Sequence, residues 1–129
     1  MSANPTVGLW ARTALVWFLI TLSFGMYMGM THQFHFAPSH AHMGVLGWLS
    51  SATFAMLYSV AREAPAPSVA PRAHWAVHNT GVALMTGALF MMLGDPGSFW
   101  GVLIPIGGLI IIVAAIWLTV MLWTRLRPA

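Results

Sequence analysis

The 129-residue sequence contains no cysteine and no lysine, and only two acidic residues, Glu63 and Asp95. Without cysteine there is no disulfide, no thiolate metal site and no signal of redox compartment. Any metal would have to be held by histidine, methionine or carboxylate side chains. Five arginines (Arg12, Arg62, Arg72, Arg125 and Arg127) bring the charged fraction to only 5%, against 59% hydrophobic residues, whereas soluble domains carry about 25% charged residues. A chain this poor in charge cannot cover itself with a water-facing surface. That excludes a soluble globular protein and points to an integral membrane protein in contact with the lipid bilayer. The formal charge of +3 reads as topology information, and no nucleic-acid partner is expected.

Four apolar runs are present, at about residues 9–30, 41–60, 75–93 and 99–123, each near the roughly 20 residues a helix needs to cross the hydrocarbon core. The expected fold is all-α: one transmembrane four-helix bundle over residues 1–129, with no room for a second folded unit. The first run is followed by more helix at its best cleavage region, near Gly25, and is read as retained rather than as a leader. The connections are "THQFHFAPSH", the proline-rich "REAPAPSVAPRA" and "GDPG" at 94–97, an Asp-Pro pair between glycines that favours chain reversal. All five arginines flank the bundle at the ends of the first and fourth runs or in the 61–74 connection. The excess of positive charge stays on the cytoplasmic side, so both termini are expected in the cytoplasm. The histidine-bearing connection then faces outward, into the periplasm if the membrane is a bacterial inner membrane.

Small residues recur on the apolar runs: Gly25 and Gly29, then Gly47, Ser51 and Ala55, then Gly107, Gly108, Ala114 and Ala115. In lipid, burial of apolar surface gives no net drive to association, and such residues let helices approach closely. They are read first as packing within the bundle and second as contacts between subunits. The ten methionines are read as lipid-compatible filler, although Met26, Met28 and Met30 lie near the histidines.

Four of the six histidines, His32, His35, His40 and His42, cluster before the second run. On a helix, His40 and His42 are about 200° apart, so they point to opposite faces and cannot chelate one ion together. In an extended stretch they would share a side, and a copper or zinc site with His32 or His35 becomes possible. Opposite faces have a particular use in a cyclic oligomer, where one face of each subunit meets a different face of its neighbour. His40 of one chain and His42 of the next would then complete a two-ligand site, a geometry suited to heme iron. His74 and His78, at i and i+4, share a face. The simpler expectation is that His74 snorkels into the interface while His78 hydrogen-bonds a neighbouring helix. A weaker metal or heme site, or a quinone contact, is the alternative.

The segments "PSHAHMGVLGW", "SSATFAMLYSV" and "HNTGVALMTGALFMMLGD" resemble the catalytic subunit I of heme-copper oxidases and nitric oxide reductases, over most of the chain from the first to the third run. In that subunit, twelve helices form three four-helix arcs about a pseudo-threefold axis, and one helix carries a His-x-His that binds two hemes on its two sides. The resemblance implies that this chain assembles as a homotrimer imitating the twelve-helix subunit, with His40 and His42 as ligands to heme b. Two departures stand out: there is no adjacent His-His pair for the catalytic copper, and no arginine pair for heme propionates, which leaves His32, Gln33 and His35 as the nearest polar substitutes. A complete dioxygen- or nitric-oxide-reducing centre is therefore not expected. The expected role is electron transfer, small-ligand sensing or heme handling. A histidine-based copper or zinc protein, or an accessory subunit of a respiratory complex with a redox partner, is the alternative.

Overall fold

The computed structural model describes residues 4–61, 69–123 and 125; Arg62, Glu63, Arg127 and most of the proline-rich connection lie outside the described residues. Among the described residues four helices are long and apolar enough to cross a membrane: α1 (Pro5–Thr31), α2 (Phe34–Val60), α3 (Val69–Gly94) and α4, which follows a 3-10 turn at Phe99–Val102 and runs over Leu103–Trp123. Large apolar side chains such as Leu15, Met26, Leu109, Ile112 and Val120 are exposed along their outer faces, as lipid-facing positions should be. The chain is an all-α membrane bundle.

Local chemistry sets the ends. Asn4 caps α1 by accepting a hydrogen bond from the Thr6 amide at 3.0 Å, and Pro5 stands at the first helical position, where its missing N–H costs nothing. His32, with φ of 55°, closes the C-terminus in the left-handed conformation. The turn after α3 reverses as the Asp-Pro signal predicts: Ser98 N–H donates to the Asp95 carbonyl at 3.2 Å, and Gly97 has φ of 99°, which only glycine adopts without strain.

The 31–40 segment departs from the expected loop. Only His32 and Gln33 connect α1 to α2, and α2 starts as a 3-10 turn over Phe34–Phe36 before the α-helical Ala37–His42. His-Ala-His is thus not at the mouth of the helix but about eight residues inside it, roughly 12 Å at 1.5 Å per residue. From Met43 to Leu49 the helix widens to a π-helix and then returns to α at Ser50–Val60. A π-turn leaves carbonyls to be satisfied differently; that of Val45 takes the Ser50 hydroxyl at 2.9 Å.

Small residues do set the helix contacts, though not all of those expected. Gly47, Ser51 and Ala55 are buried, and a Cβ at Gly47 would lie 2.5 Å from the Trp17 ring. Between α3 and α4 the contact is with backbone: a Cβ at Gly107 would stand 2.6 Å from the Met85 amide nitrogen and 2.9 Å from the Gly81 carbonyl. Gly29 has nothing near it and Ala115 is exposed, so neither serves packing inside the bundle.

Candidate functional site

Two histidine constellations emerge. The first is on α2, where the two imidazoles do diverge. His42 is half-buried, and its Nδ1 lies 2.7 Å from the Pro38 carbonyl. A carbonyl only accepts, so Nδ1 carries the proton and Nε2 keeps its lone pair free. This is the tautomer that histidine ligands adopt when a backbone carbonyl orients them. The ring lines an apolar groove of about 420 Å³ walled by Ala41, Val45, Leu46, Met85 and Ile111, within the roughly 300–1,000 Å³ of small-molecule sites.

His40 lies on the other side, against α1. Its Cε1 would be only 2.8 Å from a Cβ at Gly25, so the ring occupies the space that glycine leaves, with Phe24 6.2 Å away. Its Nδ1 is buried without a partner. An unpaired lone pair costs less there than an unpaired N–H, so this seat favours the tautomer with the proton on Nε2. Ligating iron through Nε2 would move that proton to Nδ1 and leave a buried donor unsatisfied, at about 1–3 kcal/mol. Of the two rings, His42 has its Nδ1 bonded and its Nε2 free, whereas His40 would have to leave a buried donor unsatisfied to free its own Nε2.

Ser39, fully buried and immediately ahead of His40, donates to the Thr86 carbonyl at 3.0 Å and fixes this level of α2 to α3. His32 and His35 are exposed; the His35 ring rests 4.0 Å from that of Phe36, and the His32 ring 6.1 Å from that of Phe34. Among the described residues no three histidines, aspartates or glutamates come together as a metal-binding group.

The second constellation was only partly foreseen. His74 does not snorkel to the interface: it is 0% exposed and His78 1%, because both face inward where α1, α2 and α4 converge. The Trp10 ring is 5.1 Å from His74 and 5.6 Å from His78, Phe54 is 5.5 and 5.0 Å from them, and Trp117 is 6.3 Å from His74. His74 Nδ1 and the Tyr58 hydroxyl are 3.1 Å apart. His78 meets the expectation of a hydrogen bond to a neighbouring helix, with Nε2–H donating to the Leu46 carbonyl at 3.0 Å. That carbonyl belongs to the π-helical segment, one turn beyond His42, so His78 holds the wide turn on which the first site stands.

Trp10 Nε1, His78 Nδ1 and Ser51 Oγ are buried with no partner among the described residues, an expensive state in a membrane. Tyr58 and Trp10 are the members that sequence reasoning missed. Antiparallel depth would have found them, since Tyr58 precedes the 62–68 connection by about as much as His74 follows it. Asn79 is also engaged: its Oδ1 accepts from Trp17 Nε1 at 3.1 Å and its Nδ2 donates to the Trp75 carbonyl at 3.0 Å, while Trp75 Nε1 donates to Thr13 at 2.8 Å. These bonds join α1 to α3. In comparisons with known proteins, no family model, no curated protein and no solved structure matches this chain.

Proposed function

We propose that the chain is a heme-b-binding membrane protein, a small relative of oxidase subunit I, with His42 as the principal iron ligand. The single observation that carries this reading is His42 itself: Nδ1–H is fixed on the Pro38 carbonyl, which leaves the Nε2 lone pair free, and the residue lines an apolar groove. The donor set fits a porphyrin better than bare copper or zinc, because a bare ion needs three or four protein ligands, whereas heme iron needs one or two from the protein and an apolar cleft for its ring. A second ligand would come from His40 of a neighbouring subunit in a homotrimer, once that ring leaves its seat on Gly25, giving up to three equivalent sites in the outer half of a bacterial inner membrane with both termini cytoplasmic. When bound, the heme supplies one-electron chemistry or a gas-binding position; the chain orients the ligand, excludes water and surrounds the ring with aliphatic side chains.

The test is the absorption spectrum of protein purified after expression with ample heme, oxidised and reduced. A Soret band is expected, abolished by His42→Ala. With His40→Ala the heme is retained but becomes five-coordinate and binds carbon monoxide. Mixing His40→Ala and His42→Ala subunits restores some six-coordinate sites if ligands are shared across interfaces. A colourless protein, or heme undiminished in His42→Ala, refutes the assignment; bound copper or zinc without porphyrin absorbance would establish the histidine-metal alternative.

A further inference from the structure

At the end of the bundle opposite the Asp95 turn, the first turns of α1 and α3 enclose a cavity of about 610 Å³ lined by Asn4, Gly8, Arg12, Arg72 and Trp75. Two features of this cavity are chemical rather than merely spatial. Two exposed arginines from different helices line one space, and Asp95, the one carboxylate among the described residues, is at the far end of the molecule. Neither helix carries an acidic residue in its first turn, where the exposed amides and the helix dipole favour negative charge. The floor at Gly8 is open, with no atom within 4 Å of a Cβ built there. The Trp75 indole is held by its bond to Thr13 and forms an amphipathic wall of the kind that sits at headgroup level.

We propose that this cavity binds the headgroup phosphate of an anionic phospholipid. Arginine presents a planar fork of donors that matches phosphate oxygens two at a time, and basic pockets between transmembrane helices take anionic headgroups in this way. Arg12 is about two turns into α1, from where an arginine can reach the headgroup level along its aliphatic stem, and Arg72, in the first turn of α3, lines the same cavity. The lipid's acyl chains follow the exposed apolar faces below. The site is independent of the histidines and of any heme.

The experiment uses the full chain in gentle detergent. Retention of phosphatidylglycerol and of phosphatidylcholine is measured by native mass spectrometry, and thermal stabilisation is measured with each lipid and with inorganic phosphate. Phosphatidylglycerol is expected to be retained and to stabilise, with phosphatidylcholine and inorganic phosphate much weaker. The double change Arg12→Gln with Arg72→Gln should weaken phosphatidylglycerol on the order of 10- to 30-fold, from about 1 kcal/mol per arginine. Gly8→Leu keeps both charges but adds bulk to the cavity lining, at a position where a Cβ meets no atom within 4 Å, and should weaken it comparably. Equal retention of the two lipids overturns the proposal. So does a phosphatidylglycerol preference that survives Gly8→Leu, which would mark a diffuse surface attraction, and so does stabilisation by inorganic phosphate equal to that by lipid, which would mark a free-anion site.

Discussion

Replacing Gly25 by alanine tests the packing of His40 directly. The new Cβ would lie 2.8 Å from Cε1, 3.4 Å from Nε2 and 3.5 Å from Nδ1 of that ring. Ordinary contact begins near 3.4 Å, so Cε1 must retreat by about 0.6 Å (3.4 − 2.8), which turns the ring off its preferred rotamer or shifts α1 from α2. Such overpacking costs about 1–2 kcal/mol. Against it stands the gain from replacing a helical glycine by alanine, about 0.5–1 kcal/mol. The single variant should therefore be near neutral or destabilised by up to about 1.5 kcal/mol, and its sign alone decides little. The double-mutant cycle decides it: in a His40→Ala background the clash is gone, and Gly25→Ala should stabilise by about 0.5–1 kcal/mol. The coupling is then about 1–2 kcal/mol. Reversible unfolding in mixed micelles of mild detergent and dodecyl sulfate, followed by tryptophan fluorescence, measures all four corners. A coupling below about 0.3–0.5 kcal/mol, the scatter of independent sites, would refute the packing of His40 on Gly25.

The same unfolding assay should find His74→Ala and His78→Ala both destabilising, by about 2–4 kcal/mol each, since both fill enclosed space and make buried hydrogen bonds. His78→Gln, which can still donate to the Leu46 carbonyl, should recover part of the loss, and equal losses in His78→Gln and His78→Ala would count against that bond. Tyr58→Phe should cost about 1 kcal/mol by removing the partner of His74 Nδ1; an unchanged midpoint would contradict the contact. Gly107→Ala should destabilise by about 1–3 kcal/mol because its Cβ meets Met85 backbone, whereas Gly108→Ala, whose Cβ meets only the Met85 sulfur at 4.0 Å, should be nearly neutral; the reverse order would mean that the α3–α4 contact is wrongly aligned.

The membrane helices were legible because apolar run length in lipid is a direct physical requirement, and the last run agrees with Phe99–Trp123 to the residue. The start of α2 was not legible. The histidines, Gln33, Pro38 and Ser39 read as a polar loop, yet Pro38 stands in the first turn of an α-helical stretch, where proline is tolerated, and Ser39 finds the Thr86 carbonyl across the bundle. The divergence of His40 and His42 followed from helical geometry alone. What distinguishes them chemically, one Nδ1 bonded and the other orphaned, depends on neighbours that no local pattern encodes. His74 was misplaced for a related reason: its partners Trp10, Tyr58 and Trp117 come from three other helices, and a histidine near a span end looks interfacial until those rings enclose it.

The widened turn at Met43–Leu49 has a geometric consequence for the whole of α2. Each residue of a regular α-helix advances about 100° around the axis, so the one residue accommodated by a π-turn shifts everything on one side of it by an angle of that order relative to the other. Below the turn, Ser51, Ala55 and Tyr58 keep a continuous buried seam; above it, His40 and His42 keep their mutual angle but face directions that an unbroken helix would not give them. The azimuth of the histidine pair is thereby set by its own level of contacts, Ser39 on α3 and His40 on α1, separately from the seam on the other side of the turn. A loss or gain of one residue in this segment would swing both imidazoles together, like a dial with a fixed scale, while leaving the seam in register.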